Sequence, residues 1–336
     1  MAVYSSERLY ATRETVAEFL GFDYPERIIF TMNATHALNL AIKGLIRHKC
    51  HVITSDMEHN SVVRPLNSLK ELYGVEVSEF DTDLDIESAV IPLIRPDTEF
   101  VVSTAASNVT GKTVDISGLS NIGKRYGITI IIDASQLLGH RWIDLKKTPV
   151  DVVCAPAHKS LFGIQGGGFA LFSTEKSITP LLEGGSGGDS KNLAMPTALP
   201  ERLEAGTVNL PSIVSLGAGI KYLQAIGEEG VSSRLIALTE KARDVLQDLG
   251  AMVYGCENGI VSFELCGITP MRLGNMLDLR GVAVRSGLHC APAAHKKLMT
   301  ENRGLVRMSF SLFNTEREVD YLYRVLKEIK NEARQD

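Results

Sequence analysis

The sequence predicts an α/β protein: a mostly parallel sheet covered by helices on both faces, joined to a smaller α+β region. Two observations carry this. Between Arg27 and Phe172, short β-branched or apolar runs alternate with segments whose apolar residues recur every three to four positions. That alternation marks strand–helix–strand crossovers and a parallel sheet buried on both sides. Beyond Glu183 the alternation stops in a glycine- and proline-rich stretch and resumes in a different order. The chain's 336 residues suit two domains of about 150 residues each.

In chain order, apolar periodicity predicts a helix over Ser6–Leu20, and Arg27–Thr31 reads as a strand. Thr35–Arg47 reads as a helix capped by Asn33 or Thr35. Strands follow at His51–Thr54, Val75–Phe80, Glu99–Ser103, Ile128–Asp133, Asp151–Cys154 and Gly168–Phe172, with helices at Val62–Tyr73 and Ser117–Tyr126 among them. From Glu183 to Pro211, the run Gly184-Gly185-Ser186-Gly187-Gly188 and prolines 196, 200 and 211 break all periodicity. A loop this long is a functional or disordered one. A long helical region, Pro211–Leu249, comes next. Then come strands near Met252 and at Ile260–Leu265, Gly281–Val284 and Leu305–Phe310, with helices at Pro270–Leu279 and Thr315–Glu332. We expect residues 1–218 to form a large domain and 219–336 a smaller α+β domain.

Bulk properties narrow the function. The net charge of −5 argues against nucleic acid as the main partner, because phosphate binding needs a basic surface. No apolar run reaches 18 residues, so no membrane span is expected, and the N-terminus lacks an apolar signal-peptide core. A cytoplasmic protein is expected. The five cysteines, Cys50, Cys154, Cys256, Cys266 and Cys290, include no CxxC pair, so neither a disulfide scaffold nor a metal site is expected.

The stretch from Ile128 to Phe169 holds the most chemistry. The apolar run Ile128–Asp133 ends in an acid, and Ala157-His158-Lys159 follows a second apolar run and precedes Gly166-Gly167-Gly168. An acid at one strand tip and a lysine at another are what a pyridoxal phosphate site requires. The lysine condenses with the cofactor aldehyde, and the carboxylate keeps the pyridine nitrogen protonated. A surface lysine is the commonest fate of that residue. The apolar strand before Lys159, His158 beside it and the glycines after it argue otherwise, since glycines would let the backbone approach a bulky ring. Asp133 could instead cap a helix. Gln136, one helical turn on, could donate to the cofactor's phenolic oxygen. Thr31-Met32-Asn33-Ala34-Thr35-His36 stands between a strand and a helix. Its free N–H groups could seat a phosphate, although ordinary capping explains it about as well. In Glu58-His59-Asn60, an imidazole after a strand could stack on the ring or lie in a solvated loop.

Taken together, these motifs resemble the class V aminotransferase-like enzymes of the cysteine desulfurase and selenocysteine lyase branch, and the resemblance covers nearly the whole chain. It implies a fold type I pyridoxal 5'-phosphate-dependent transferase. It makes Lys159 the cofactor lysine, with Asp133, Gln136, His158, Ala34 and Thr35 around the cofactor and His59 stacked on its ring as acid and base. Ser107-Asn108-Val109-Thr110-Gly111 matches a motif that places Asn108 beside the cofactor oxygen or the substrate. Glu204-Ala205-Gly206-Thr207 matches one whose threonine reaches the phosphate of the neighbouring subunit, which implies a homodimer sharing Thr207.

Arg285-Ser286-Gly287-Leu288-His289-Cys290-Ala291-Pro292 resembles the segment with the catalytic cysteine. Cys290 would take the substrate's sulfur as a persulfide, and His289 and Arg285 nearby would favour its thiolate. Cys290 with His289 and His295 could alternatively suggest a metal, but no acidic or cysteine partner is close in sequence. Arg307 matches the arginine that grips the substrate carboxylate, for which a guanidinium fork is suited. Four departures stand out. His36 replaces a glutamate common in relatives, Pro156 a phosphate-reaching serine and Leu288 a histidine. The front of the chain, where relatives carry an Asn-Ala-Ala segment, looks shortened. The implied activity is conversion of L-cysteine to L-alanine, with sulfur passed to an acceptor protein or thiol. Selenocysteine lyase, another class V aminotransferase or lyase, and a catalytically impaired relative are the alternatives.

Overall fold

The computed structural model describes residues 2–187 and 191–333; Gly188 of the glycine run lies outside them. The chain divides into two compact units. The first comprises residues up to Asp56, Ser61–Ala105 and Val114–Gly227, and the second Met57–Asn60, Ala106–Thr113 and the chain from Glu228 onward. The change of unit thus falls at Gly227/Glu228, and Gly219, where the sequence suggests a boundary, lies inside a helix. Two short segments from the first 120 residues also belong to the second unit, which a linear division of the chain does not anticipate.

The first unit is built from α1 (Ala2–Phe19), β1 (Ile28–Thr31), α2 (Ala34–Leu45), β2 (His51–Ser55), α3 (Asn60–Tyr73), β3 (Glu76–Phe80), α4 (Ile86–Val90), β4 (Thr98–Thr104), α5 (Ile116–Tyr126), β5 (Thr129–Asp133), β6 (Val152–Pro156), β7 (Gly168–Phe172) and α6 (Leu210–Ile226). Its seven strands lie in the order β1-β7-β6-β5-β4-β2-β3. Neighbours from β6 through β5, β4 and β2 to β3 are parallel, and β7 runs against both β6 and β1. Every residue of β2, β5, β6 and β7 is buried, as strands covered on both faces must be. The edge strand β3 is mostly exposed and carries Glu76 and Glu79, charges that discourage pairing with another chain. The core lies where Leu38, Ala41 and Ile42 of α2 meet Ile29, Val52, Val102, Ile131, Val152 and Phe172 of the sheet.

Local chemistry sets the ends of these elements. The Asn33 side chain accepts from the His36 N–H and starts α2. Asp115 does the same for α5, which stops at Gly127 in the left-handed region, φ 70°; such a C-terminal glycine carries no Cβ penalty. The helical region expected over Pro211–Leu249 is two helices, α6 and then α7 (Glu228–Asp248), because Gly227 ends α6 at φ 81°.

The second unit carries α7, β8 (Met252–Glu257), β9 (Ile260–Glu264), α8 (Pro270–Asp278), β10 (Arg285–Gly287), α9 (Pro292–Lys297), β11 (Leu305–Ser309) and α10 (Glu316–Glu332). Its sheet is antiparallel in the order β10-β11-β9-β8. The helices bury Leu238, Leu246, Leu273, Leu277, Leu322 and Ile329 against Val261, Phe263 and Val306. The strand expected at Gly281–Val284 lies instead at Arg285–Gly287. Gly281, at φ 73°, still closes the turn that leaves α8, donating to the Asp278 carbonyl.

Candidate active site

The expected site residues fall into two constellations, one in each unit. In the first, β5 delivers Asp133 to the carboxyl edge of the parallel sheet, the place where ligands gather in α/β folds. Its side chain is 4% exposed. One carboxylate oxygen accepts from the Ser135 N–H at 3.0 Å, and no cation pairs with Asp133 among the described residues. The chain then turns through Ala134–His140 rather than forming a helix, so Gln136 is half-buried in a turn and not one helical turn past the acid. Burial, with the Asp133 charge second, holds the adjacent Cys154 thiol well above the usual range, which makes it neutral filling beneath the carboxylate.

Lys159 stands in a tight loop after β6. The Ala157 N–H donates to the Gly167 carbonyl, the Gly163 N–H to the Ala157 carbonyl, and the Phe162 N–H to the Lys159 carbonyl. Phe162 closes the loop at φ 57°. Lys159 and His158 are exposed at its tip. Partial burial, followed by the Lys159 charge, lowers the His158 pKa. Two contacts unforeseen from the sequence lock this loop to the turn after Asp133. Ser160 Oγ and His140 Nε2 are 2.6 Å apart, and a Cβ at Gly139 would come within 2.1 Å of the Ser160 carbonyl oxygen. The turn after Asp133 and the loop carrying Lys159 are therefore joined through backbone as well as side chains.

The triple glycine lets protein backbones approach one another closely. A Cβ on Gly168 would meet the Ala155 carbonyl at 2.8 Å and the Asn33 backbone at 2.9 Å, and one on Gly167 would meet Ser212 Oγ at 2.4 Å. Gly167 and Gly168 let β7, the α2 cap and α6 close on one another.

At the amino end of α2, Ala34 is half-buried and Thr35 exposed, with Thr35 Oγ1 2.8 Å from Ser61 Oγ. The Met32 N–H donates to His36 Nδ1 at 3.3 Å, and burial lowers the His36 pKa. Thr207 is exposed and lines a cavity of about 430 Å³ with His36, Gly166 and Asn209. Its loop is anchored by Glu204, which accepts from Arg13 and from the Phe30 N–H, both at 2.5 Å. The Arg13 and Glu204 side chains are only 6% and 10% exposed.

The second constellation gathers His59, Asn108, Arg285, Cys290 and Arg307, all in the second unit. Register places Arg285 of β10 opposite Arg307 of β11. His289 and Cys290 follow β10 at φ 52° and 58°, a left-handed pair costing about 1–2 kcal/mol per residue. This turn buries the imidazole and leaves the thiol exposed. Three bonds hold the strained turn. The Asn108 side-chain amide donates to the His289 carbonyl at 2.7 Å, the Asn60 N–H to the Cys290 carbonyl at 2.8 Å, and Arg285 to Cys290 Sγ at 3.4 Å. Arg307 in turn donates to the Asn108 carbonyl at 2.8 Å.

The structure corrects the expectation for His289. Its Nε2 lies 3.1 Å from the Arg285 carbonyl oxygen and its Nδ1 3.2 Å from His295 Nε2, so the ring has no nitrogen left for the neighbouring thiol. A carbonyl can only accept, which places the proton of the neutral ring on Nε2. Burial foremost, with Arg307, His295 and Arg285 adding to it, lowers the His289 pKa to about 4. Burial and Arg285 likewise depress that of Arg307, to about 10. Arg307 Nε is buried without a hydrogen-bond partner, and neither guanidinium has an ion pair among the described residues. Two facing cations and an unpaired buried donor call for an anion such as a carboxylate.

The first constellation fits pyridoxal phosphate on the same logic. A buried carboxylate without a cation calls for a positively charged partner, and a protonated ring nitrogen is one. The exposed Lys159 would hold the aldehyde, and the α2 amino end with Thr35 would receive the phosphate.

Residues 1–322 match the aminotransferase class-V family. A probable cysteine desulfurase of Methanothermobacter thermautotrophicus is 31% identical, across 97% of this chain and 84% of its own length. One from Pyrococcus abyssi is 30% identical, across 98% and 85%. The apo structure of a cysteine desulfurase from Thermococcus onnurineus superposes with a TM-score of 0.88 at 29% identity, covering 97% of this chain and 84% of that one. The chain belongs to the class V aminotransferase family.

Proposed function

We propose that the protein is a pyridoxal phosphate-dependent cysteine desulfurase that converts L-cysteine to L-alanine and keeps the sulfur as a persulfide on Cys290. The observation that carries this is an exposed thiol, held on a strained turn, bonded by Arg285 and grouped with Arg307, whose buried Nε lacks a partner. A nucleophile and a carboxylate receptor in one cluster suit an amino acid whose side chain is attacked.

When bound, the cofactor withdraws electrons from the α-carbon of the amino acid. Asp133 keeps the ring nitrogen protonated. Lys159 would hold the cofactor's aldehyde and its Nζ would take the α-proton of the substrate, and His59 would serve as a further acid and base. Arg307 orients the carboxylate. Cys290 Sγ attacks the substrate sulfur, so an S–S bond forms as the C–S bond breaks. The carbon keeps the electron pair and is protonated. L-cysteine and one enzyme thiol thus become L-alanine and one enzyme persulfide. Asn108 holds the Cys290 turn. In the same reading the enzyme is a cytoplasmic homodimer in which each Thr207 serves the other subunit's cofactor phosphate, and a sulfur-acceptor protein, such as a scaffold for iron–sulfur clusters, removes the sulfur.

The test is Cys290→Ala in holoenzyme. It should abolish sulfide release from cysteine while the cofactor's absorption persists, and turnover at the parent rate would refute the role of Cys290. Borohydride reduction followed by peptide mapping should label Lys159; an unlabelled Lys159 would refute the cofactor site. Faster turnover of selenocysteine than of cysteine would reassign the activity to selenocysteine lysis.

A further inference from the structure

A second group of reactive side chains lies in the first unit at the opposite, amino-terminal edge of the parallel strands. His48 and Cys50 immediately precede β2, and Glu99 is the second residue of β4; β2 and β4 are neighbours paired from His51 and Thr98 onward. The imidazole nitrogen, thiol sulfur and carboxylate oxygen all lie within 4.8 Å of one another. His48 Nε2 is 2.7 Å from Glu99 Oε1, and the two side chains are 55% and 38% exposed. Cys50 is 1% exposed, and its thiol makes no hydrogen bond among the described residues. An exposed imidazole–carboxylate pair over a buried, unpartnered thiol is more than a surface ion pair requires.

We propose that His48, Cys50 and Glu99 bind a thiophilic divalent cation of the zinc class, with water completing a tetrahedral shell on the exposed side. One nitrogen, one sulfur and one carboxylate oxygen form a donor set that such an ion takes readily. Its bond lengths space ligand atoms roughly 3.3–3.6 Å apart. The His48–Glu99 contact would therefore open slightly, the two exposed side chains moving to seat the ion against the buried sulfur. Binding replaces the thiol proton, which leaves to solvent. Glu99 and Asp97 place negative charge around the sulfur and Lys176 opposes them. The ion would tie β2 to β4 far along the strands from Asp133. The spacing His-x-Cys with one distant acid has no CxxC signature, so it is invisible to a search for one.

The test uses full-length holoenzyme carrying Cys290→Ala together with Cys266→Ala, so that neither exposed thiol contributes. After chelation, dialysis against Zn²⁺ and gel filtration, metal analysis should find about one equivalent per chain, and Co²⁺ should give tetrahedral d–d bands to the red of the cofactor absorption. Cys50→Ser and, independently, His48→Ala should each weaken binding by at least about tenfold. Zn²⁺ should raise the Tm of this parent but not of these variants. His48 is exposed, so its variant folds even if that of Cys50 does not. Failure to retain metal, or equal retention by the parent and the His48→Ala variant, overturns the proposal, and neither result bears on the desulfurase reading.

Discussion

Acid should loosen the second unit through His289. Its folded pKa, lowered to about 4 chiefly by burial, sits below the ordinary 6.5. The unfolded chain therefore binds more protons than the folded one between those values. The stability that His289 contributes is complete above pH 6.5 and is lost as pH falls toward 4. At about 1.4 kcal/mol for each pH unit between the two values, the whole loss is about 3 kcal/mol, of which about 2 kcal/mol is gone by pH 5. Urea unfolding followed by circular dichroism, at about pH 8 and about pH 5, measures it against His289→Gln. The substitution lowers stability at both values, because it disturbs the bond to His295, but it should make the acid loss smaller by about 2 kcal/mol, the share that belongs to His289. An identical acid loss in parent and variant, or an imidazole resonance from His289 titrating near 6.5, would refute the reasoning.

Three further outcomes are expected. Gly168→Ala sets a Cβ against the Asn33 and Ala155 backbones and should cost about 1–3 kcal/mol, read as a lower urea midpoint. Glu204→Ala leaves Arg13 buried without its carboxylate and should cost about 3–5 kcal/mol, measured the same way. Arg307→Lys keeps the charge but loses the fork that reaches the Asn108 carbonyl. It should lower kcat/KM for cysteine by about 10–150-fold, from about 1.5–3 kcal/mol of charge-assisted bonding; an unchanged KM in an alanine-release assay would place the carboxylate elsewhere.

The strand-end positions of Asp133 and Lys159 are legible in the sequence because one ends and the other closely follows a short apolar run whose period-free composition fits a strand buried on both faces. The pattern that makes the strand also makes the tip. Gln136 is harder to place, because a polar residue three positions past a strand fits a first helical turn and a plain turn equally well. The sequence also cannot tell which protein backbones approach the triple glycine; at Gly168 they are those of Asn33 and Ala155. The grouping of His59 and Asn108 with Cys290 is invisible in one dimension, since it depends on contacts such as Asn108 with the His289 carbonyl, 181 positions apart. His289 misleads for a related reason. Adjacency in sequence suggests help for the thiol, but two successive left-handed residues send the ring inward and the sulfur outward.

The composition of the second unit also bears on how the chain is made. Met57–Asn60 and Ala106–Thr113 leave the ribosome long before Glu228. At elongation speeds of about 5–20 residues per second, the later of these segments waits roughly 6–23 s for the first residue of the body it joins. Throughout that interval Asn60 and Asn108 have nothing to bind, because the reactive turn they hold has not yet been translated. A fragment starting at Glu228 would lack both asparagines, so expressing the C-terminal third alone should yield a thiol loop without its fasteners.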